Sequence, residues 1–128
     1  MRYVLDSSAV IALLSREPGA EKVAGLLDIS LISSVNFSEV VGFFARRGLT
    51  RSDVENYLPA QALEVVPVDR KTAFEAGMML QLVSQYGLSL GDRICLALAR
   101  QRSAPVLTAD RIWMKVAADL GVTVELIR

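Results

Sequence analysis

Residues 2–14 of this chain read RYVLDSSAVIALL. The apolar run at residues 3–5 ends at Asp6, two serines follow, and an apolar stretch with helical character begins at once. This order predicts a buried strand, a tight turn and a helix whose N-cap is Ser7 or Ser8. Because ligands of open α/β sheets bind at the carboxyl ends of the strands, we expect Asp6 at a position where chemistry is commonly done. The same three residues are equally compatible with helix capping alone.

The composition bounds the class of protein. The chain has 128 residues, which suits one domain with a buried core, and we expect one domain over residues 1–128. Fourteen basic and fourteen acidic residues cancel, so any contact with nucleic acid has to be local. The chain contains no histidine, which excludes Ser-His-Asp and Cys-His catalysis and His-ligated zinc sites. If the protein is an enzyme, carboxylates have to carry the chemistry.

The apolar content points to an interface. Apolar residues make up 52% of the chain, so we expect part of that surface to contact a second subunit or a partner. The single cysteine, Cys95, lies in an apolar helical run and is expected to be a small buried hydrophobe. A single cysteine cannot form a disulfide within the chain, and this fits a protein of a reducing compartment. With no membrane-spanning candidate and no signal-peptide pattern around residues 9–14, we expect a cytoplasmic protein.

Strand and helix signals alternate along the chain. The strand candidates are residues 3–5, 31–34, 64–68, 105–107 and 122–127. The helix candidates are a segment that follows an N-cap at Ser7 or Ser8 and runs to Leu14, residues 20–27, a segment from the capping-box signal Asn36–Glu39 to Gly48, a segment from the capping-box signal Ser52–Glu55 to Pro59, residues 70–86, a segment capped by Ser89, and residues 111–120. This alternation predicts an α/β fold with a mostly parallel sheet of four to five strands, flanked by helices on both faces.

Four acidic residues share one kind of position. Asp6 and Asp110 follow apolar strands. Glu39 and Asp92 are expected in the first turns of helices that follow a strand or a loop. All four therefore map to the carboxyl edge of one parallel sheet. A single acid at a helix N-terminus is commonly a cap, but several ionised carboxylates in close proximity repel one another unless a proton or a cation is bound.

A divalent metal ion would remove this conflict. Ligand sets made only of oxygen favour Mg²⁺ or Mn²⁺ over zinc, and such an ion can activate water for attack on phosphorus. The hydroxyls of Ser7, Ser8 and Thr108 flank the acids and are candidates for holding water or phosphate oxygens, with capping favoured for Ser8. Arg93 is a candidate for a phosphate contact, although a solvated or ion-paired arginine is the default.

Four segments of the chain together resemble the PIN-domain ribonucleases, and specifically the VapC-type toxins of toxin–antitoxin pairs. They are DSS at residues 6–8, NFSEV at 36–40, SLGDRICLALA at 89–99 and LTAD at 107–110. The resemblance covers essentially the full chain. Arg93 departs from the pattern, since many relatives carry a small residue there, and this leaves the substrate preference open.

The resemblance implies a Mg²⁺- or Mn²⁺-dependent endoribonuclease, the toxin of a type II toxin–antitoxin system. It implies catalytic roles for Asp6, Glu39, Asp92 and Asp110, with Asp6, Asp92 and Asp110 as metal ligands and Thr108, together with Ser7, in support. It also implies a homodimer, a VapB-type antitoxin whose C-terminal segment obstructs the acidic site, and a structured RNA substrate such as tRNA or rRNA. No membrane contact is implied.

Two other functions remain open. An aspartate-dependent phosphotransfer or phosphatase domain uses an aspartate at a strand end as its nucleophile. Such domains need a second acid close to the nucleophile in the sequence, or an acid pair together with a lysine at a strand end. Asp6-Ser7-Ser8 has no such partner, and no lysine ends a predicted strand. The other alternative is a non-catalytic PIN-like binding module, whose acids only cap helices and whose apolar surface docks a partner.

Overall fold

The structure is a computed structural model and describes residues 2–58 and 62–128. Its centre is a sheet of five strands, all of them parallel, in the order β3-β2-β1-β4-β5. The strands are β1 (Tyr3–Leu5), β2 (Ser30–Ser33), β3 (Glu64–Val66), β4 (Val106–Thr108) and β5 (Val124–Leu126). The predicted α/β fold with a parallel sheet of four to five strands is confirmed.

Helices cover both faces of the sheet. They are α1 (Ser7–Leu14), α2 (Ala20–Leu26), α3 (Ser34–Arg46), α4 (Arg51–Tyr57), α5 (Arg70–Met78), α6 (Leu80–Val83), α7 (Leu90–Arg102) and α8 (Trp113–Leu120), with short 3₁₀ turns at Leu27–Ile29 and Ser84–Tyr86. One apolar core lies under α5 to α8 and the other under α1 to α4. Each core buries one face of the sheet.

The central strands contribute side chains to both cores. Val4 and Val106 point into the core under α5 to α8, whereas Leu5 and Leu107, the next residues along the same strands, point into the opposite core. All of these side chains are fully buried. Successive residues of a strand face opposite sides of the sheet, so a strand covered on both faces has to be apolar throughout. This is why the central strands appear in the sequence as continuous apolar runs.

The first helix begins one residue earlier than expected. Its N-cap is Asp6, not Ser7 or Ser8, and the Asp6 side chain makes no capping hydrogen bond. The carboxylate instead accepts hydrogen bonds from Ser8 and from Thr108 on β4. The Asp6 side chain is therefore bound to Thr108 on the neighbouring strand and to Ser8, and it does not cap the helix that follows it.

The cap of α3 also lies nearer the strand than predicted. Ser33, the last residue of β2, is the N-cap and accepts a 3.0 Å hydrogen bond from the amide of Asn36. The expected capping box at Asn36–Glu39 is wrong, because the helix already begins at Ser34. Glu39 consequently lies in the second turn of α3 and not in the first.

The capping box of α4 is shifted in the same way. Thr50 and Asp53 exchange the reciprocal hydrogen bonds, at 3.0 and 3.1 Å, that were expected from Ser52 and Glu55. The expected end of this helix at Pro59 lies outside the described residues. The predicted N-cap of α7 at Ser89, with Asp92 in the first turn, is confirmed, and the two residues form a capping box.

The helix expected over residues 70–86 is broken. Its first part, α5, ends at Met78, and α6 and a 3₁₀ turn follow before Gly87 closes the segment with a φ of 67°. At the break, the guanidinium of Arg93 donates a 2.9 Å hydrogen bond to the carbonyl of Ala76. Arg93 on α7 is therefore bound to the end of α5.

Smaller differences concern the element ends. β2 covers residues 30–33 where 31–34 was expected, β3 ends at Val66 ahead of Pro67, β4 covers 106–108, β5 covers 124–126, α2 ends at Leu26, and α8 begins at Trp113. Proline cannot donate to the sheet hydrogen bonds, which explains the early end of β3.

Candidate active site

The site is built where β1 and β4 end side by side. These strands pair in parallel, with Val4 opposite Val106 and Leu5 opposite Leu107. Asp6 is the residue after β1, and Thr108 is the last residue of β4. Because the two strands run in the same direction, both side chains emerge at the carboxyl edge of the sheet.

Asp6 is the most buried of the acids. Only 4% of its surface is exposed. Its Oδ2 accepts hydrogen bonds from Ser8 Oγ at 2.7 Å and from Thr108 Oγ1 at 2.9 Å. Burial raises the pKa of Asp6 to about 6; the two hydroxyls oppose this shift, while the charges of Asp92 and Glu39 add to it. The carboxyl group is therefore held in place yet costly to ionise.

Asp92 combines a capping role with a place beside the other acids. Its Oδ2 accepts from the Ser89 amide at 3.0 Å, and the Asp92 amide donates to Ser89 Oγ at 3.2 Å. Burial raises the pKa of Asp92, with a further increase from the charge of Asp110, against the lowering effect of the Ser89 hydrogen bonds and of Arg93. Capping alone does not account for this environment, because a cap in isolation lowers the pKa of an acid.

Glu39 is held against the start of α7 by a buried asparagine. Asn36 is fully buried, and its Nδ2 donates to Glu39 Oε1 at 2.9 Å and to the Gly91 carbonyl at 3.0 Å. A Cβ atom at Gly91 would lie 2.7 Å from Glu39 Cδ, a separation that real Cβ atoms essentially never show. Glycine is thus required at position 91 for the carboxylate to lie where it does.

Asp110 is exposed and shapes the loop after β4. Its Oδ1 accepts from the Ile112 amide at 3.0 Å, and its own amide donates to Thr108 Oγ1 at 3.1 Å. Its charge nevertheless reaches Asp92, whose pKa it raises. Asp110 therefore stands at the rim of the site, next to the α7 acid.

Of the two serines that follow Asp6, Ser8 is the one that contacts its carboxylate. Its hydroxyl donates to Asp6, accepts from the Ala109 amide at 3.0 Å and lies 3.3 Å from Thr108 Oγ1. In the described part of the chain, no hydrogen bond involves the side chain of Ser7. Ser8 therefore joins the start of α1 to the end of β4.

Cys95 lies fully buried, as expected. Burial raises the pKa of its thiol well above the ordinary value, and the charges of Asp6, Asp92 and Glu39 raise it further. The thiol is therefore protonated at neutral pH and acts as an apolar filler.

The acids are neighbours without forming a compact cage. Within residues 2–58 and 62–128, no three Asp, Glu or Cys side chains are close enough together to hold a metal ion. Mg²⁺ is commonly held by one or two carboxylates together with water and substrate phosphate, so a cage of three is not needed. The oxygen-only donors, and the raised pKa values of Asp6 and Asp92, fit such a cation.

Asn36 has a part in the site that was not predicted from the sequence. The residue was expected only as a helix cap, whereas its side chain links Glu39 to the start of α7. The signal available in the sequence was an amide placed three residues before an acid on one helix, a spacing at which side chains meet.

None of the helices in the described ranges is long and apolar enough to cross a membrane. Comparison with curated protein sequences found no significant match.

The fold matches several solved structures. VapBC from Salmonella typhimurium bound to DNA is 18% identical, with a TM-score of 0.76, and the match covers 100% of this chain and 99% of the other. VapBC-5 from Mycobacterium tuberculosis, described as a member of the VapBC family of toxin–antitoxin systems, is 25% identical, with a TM-score of 0.66 and coverage of 99% and 98%. VapC20 from the same organism, a toxin that cleaves the sarcin-ricin loop, is 17% identical, with a TM-score of 0.73 and coverage of 88% and 94%.

The sequence itself matches a protein-family model. The PIN domain model matches residues 3–119, which include all four candidate acids and both strands that carry the site. The resemblance inferred from the four sequence segments is thereby confirmed at the level of the family. This chain belongs to the PIN domain family.

Proposed function

We propose that this protein is a metal-dependent endoribonuclease and the VapC-type toxin of a type II toxin–antitoxin pair. The observation that carries the proposal is the environment of Asp6. This carboxyl group is buried at the carboxyl edge of a PIN-domain sheet, is held by two hydroxyls, and is under the charge of two further acids from α3 and α7. A purely structural aspartate gains nothing from such an arrangement, whereas a cation site needs it.

Asp6, Asp92 and Asp110 are the residues proposed to hold a Mg²⁺ or Mn²⁺ ion, with one or two of the carboxylates bound directly and the rest acting through water. When bound, the ion supplies a Lewis acid for a phosphate oxygen and a source of hydroxide at neutral pH. Ser8 and Thr108 fix the orientation of the Asp6 carboxylate, so that Oδ2 is occupied by hydroxyls. The proposed supporting role of Thr108 rests on its hydrogen bond to Asp6. Ser7 remains a predicted supporting residue, whereas the serine in contact with Asp6 is Ser8.

Glu39 completes the proposed set of catalytic residues. It comes from a different helix and lies against the backbone of Gly91, one residue before Asp92. A carboxylate here extends the negative edge toward α3, where it can accept a proton from attacking water or help to orient it. The four acids thereby come from β1, α3, α7 and the loop after β4.

The proposed substrate is a structured RNA such as tRNA or rRNA. The likeness to VapC20, a sarcin-ricin loop cleaving toxin, supports an RNA target. The proposed partner is a VapB-type antitoxin whose C-terminal segment obstructs the acidic edge, and the VapBC complexes among the structural neighbours support it. The proposed location is the cytoplasm.

We further propose a homodimer formed through α5 and α6. Phe74, Met78 and Leu82 are 65%, 43% and 50% exposed and follow one another at intervals of four residues. Phe74 and Met78 lie four residues apart on one face of α5, and we propose that exposed Leu82 on α6 extends this surface into one apolar stripe. The stripe supplies the unpartnered apolar surface that the composition predicts.

The test is RNA cleavage by the purified chain, free of partner, in Mg²⁺, in Mn²⁺ and in a chelator. Cleavage that requires the metal and is lost in Asp6→Asn supports the proposal. Cleavage that persists in chelator or in Asp6→Asn would contradict the metal mechanism. Binding of a partner without any cleavage of tRNA or rRNA would favour the binding-module alternative, and release of phosphate from a phosphorylated Asp6 would favour the phosphotransfer alternative.

A further inference from the structure

A cleft opens between α1 and α3 and begins at one of the proposed catalytic acids. It has a volume of about 360 Å³. Its lining residues are Ile11, Glu39, Gly42, Phe43, Arg46 and Arg47. The cleft therefore joins the carboxylate edge of the sheet to the basic C-terminal end of α3.

The residues of α3 in this cleft share one face of the helix. Gly42, Phe43 and Arg46 follow Glu39 by three, four and seven residues. Seven residues are close to two turns, so Arg46 lies about 10 Å along the helix axis from Glu39. This separation is on the scale of about two nucleotides of an extended strand. A strand whose scissile phosphodiester lies at the acids can thus bring a neighbouring phosphate to Arg46.

The two arginines are in different situations. The guanidinium of Arg47 lies 3.4 Å from the centre of the Phe43 ring, and its Nη1 donates to the Phe43 carbonyl at 3.1 Å. Arg46 is exposed and forms no ion pair or side-chain hydrogen bond within the described ranges. Arg46 is therefore the cation of this cleft that is available to an anionic ligand.

Gly42 leaves the middle of the cleft free of a side chain. Glycine inside a helix is unfavourable relative to alanine, so its presence calls for a reason. Packing does not supply one, because a Cβ at Gly42 would meet no atom within 4 Å. Any side chain at this position would instead project into the space between Glu39 and Arg46.

We infer that this cleft binds the RNA strand beside the scissile phosphodiester, with Arg46 paired to a flanking phosphate and Gly42 leaving room for the strand. The inference rests on the proposed function, since it takes the acids as the point of cleavage. RNA is favoured over an acidic peptide because the cleft begins at Glu39 itself. A strand whose scissile phosphodiester is held at the acids has to leave along a path that starts there, and the cleft that runs from Glu39 to Arg46 is such a path.

The test measures RNA binding in the Asp6→Asn background, in which bound RNA is not cut. The probe is a fluorescent single-stranded RNA of mixed sequence and about twelve nucleotides, followed by polarisation at several salt concentrations. We expect Arg46→Ala to weaken binding about 3- to 10-fold and to reduce the slope of log affinity against log salt by about 0.7. We expect Gly42→Leu to weaken binding by a similar factor while the midpoint of thermal unfolding does not fall.

Each variant has a matched control. Arg70→Ala removes an exposed arginine from α5, away from the cleft, and Gly25→Leu adds the same side chain to an exposed glycine of α2 whose Cβ also meets nothing within 4 Å. Both controls are expected to bind RNA as the parent does. Equal losses in the controls, unchanged binding in the cleft variants, or no binding by the Asp6→Asn chain would each overturn the inference.

The proposed function is tested apart from this inference. If the unsubstituted chain cuts no RNA with Mg²⁺ or Mn²⁺ while the cleft variants lose binding, the cleft assignment stands and the nuclease proposal fails. If the chain cuts RNA in a metal-dependent way and the cleft variants bind normally, the nuclease proposal stands and the cleft assignment fails.

Discussion

Thr108 Oγ1 donates a 2.9 Å hydrogen bond to Asp6 Oδ2 and so joins two residues that are 102 positions apart in the chain. The same hydroxyl oxygen accepts the amide hydrogen of Asp110 at 3.1 Å. One side chain therefore fixes both the buried carboxylate and the start of the turn that carries the exposed one. Its loss is expected to disturb both.

Thr108→Val tests this link, because it keeps the volume and removes the hydroxyl. The buried Asp6 carboxylate loses a donor and the Asp110 amide loses an acceptor, so we expect the free energy of unfolding to fall by about 1–3 kcal/mol. RNA cleavage should fall with it. Thr108→Ser keeps the hydroxyl and should retain most of the cleavage rate. Denaturant unfolding and cleavage assays measure the two effects, and equal behaviour of Val and Ser would contradict the link.

The pKa of Asp6 predicts how stability depends on pH. Because folding raises this pKa from 3.8 to about 6, the folded state holds the proton more tightly than the unfolded state. The stabilisation from this proton is complete below about pH 4 and is lost as the pH rises through about 6, for a total of about 2–3 kcal/mol. Asp6→Asn cannot ionise, and its amide oxygen can still accept from Ser8 and Thr108.

We therefore expect Asp6→Asn to unfold about 5–10 °C above the parent at pH 7.5 and near the parent at pH 4. The measurement is thermal unfolding followed by circular dichroism, with a chelator present throughout. The same substitution is expected to abolish RNA cleavage, so the residue that carries the activity also lowers the stability. A variant that is less stable than the parent at pH 7.5 would contradict the assigned environment of Asp6.

Gly91→Ala tests the position of Glu39. The new Cβ would lie within contact distance of the Glu39 carboxyl group, 2.7 Å from Cδ, and the flexible acid is expected to move away. Cleavage should then fall at least about tenfold while the free energy of unfolding changes by less than about 1 kcal/mol. Gly25→Ala, on a helix away from the site, is the control for the added methyl group. In a Glu39→Ala background, the effect of Gly91→Ala on stability should vanish.

The stripe on α5 and α6 predicts the state of association. Phe74→Asp places a charge at the most exposed residue of the apolar stripe, so we expect a dimer of the parent chain to become a monomer. Light scattering at micromolar concentration measures the mass. Ile29→Asp changes another exposed apolar residue, outside the stripe, and should leave the dimer intact. A parent chain that is already monomeric would contradict the proposed interface.

Local patterns predicted much of the fold. The strand at Tyr3–Leu5 and the helix capped by Ser89 were predicted because each signal, an apolar run or an N-cap serine ahead of apolar residues, lies within a short segment. The expected caps at Asn36 and Ser52 were wrong, since an earlier hydroxyl, on Ser33 or Thr50, takes the same role. Several hydroxyls within four residues leave the choice of cap to the surrounding structure.

The site was predictable in its residues and less so in its contacts. Asp6 and Asp92 follow recognisable local signals, whereas the bond from Asn36 to Gly91 spans 55 residues and the bond from Ala109 to Ser8 spans 101. The contact of Arg93 with Ala76 likewise depends on how α5 and α7 pack. Such contacts depend on how distant parts of the chain pack together, so no local sequence pattern predicts them.

The strand order also bears on how the polypeptide is made. The sheet places β1 beside β4, although β2 and β3 are synthesised between them. A nascent chain that has only reached β3 carries Asp6 and Glu39 but has neither the helix that bears Asp92 nor the threonine that anchors Asp6. A ribosome has to translate through β4 before this edge can assemble, so products that terminate before Thr108 lack it.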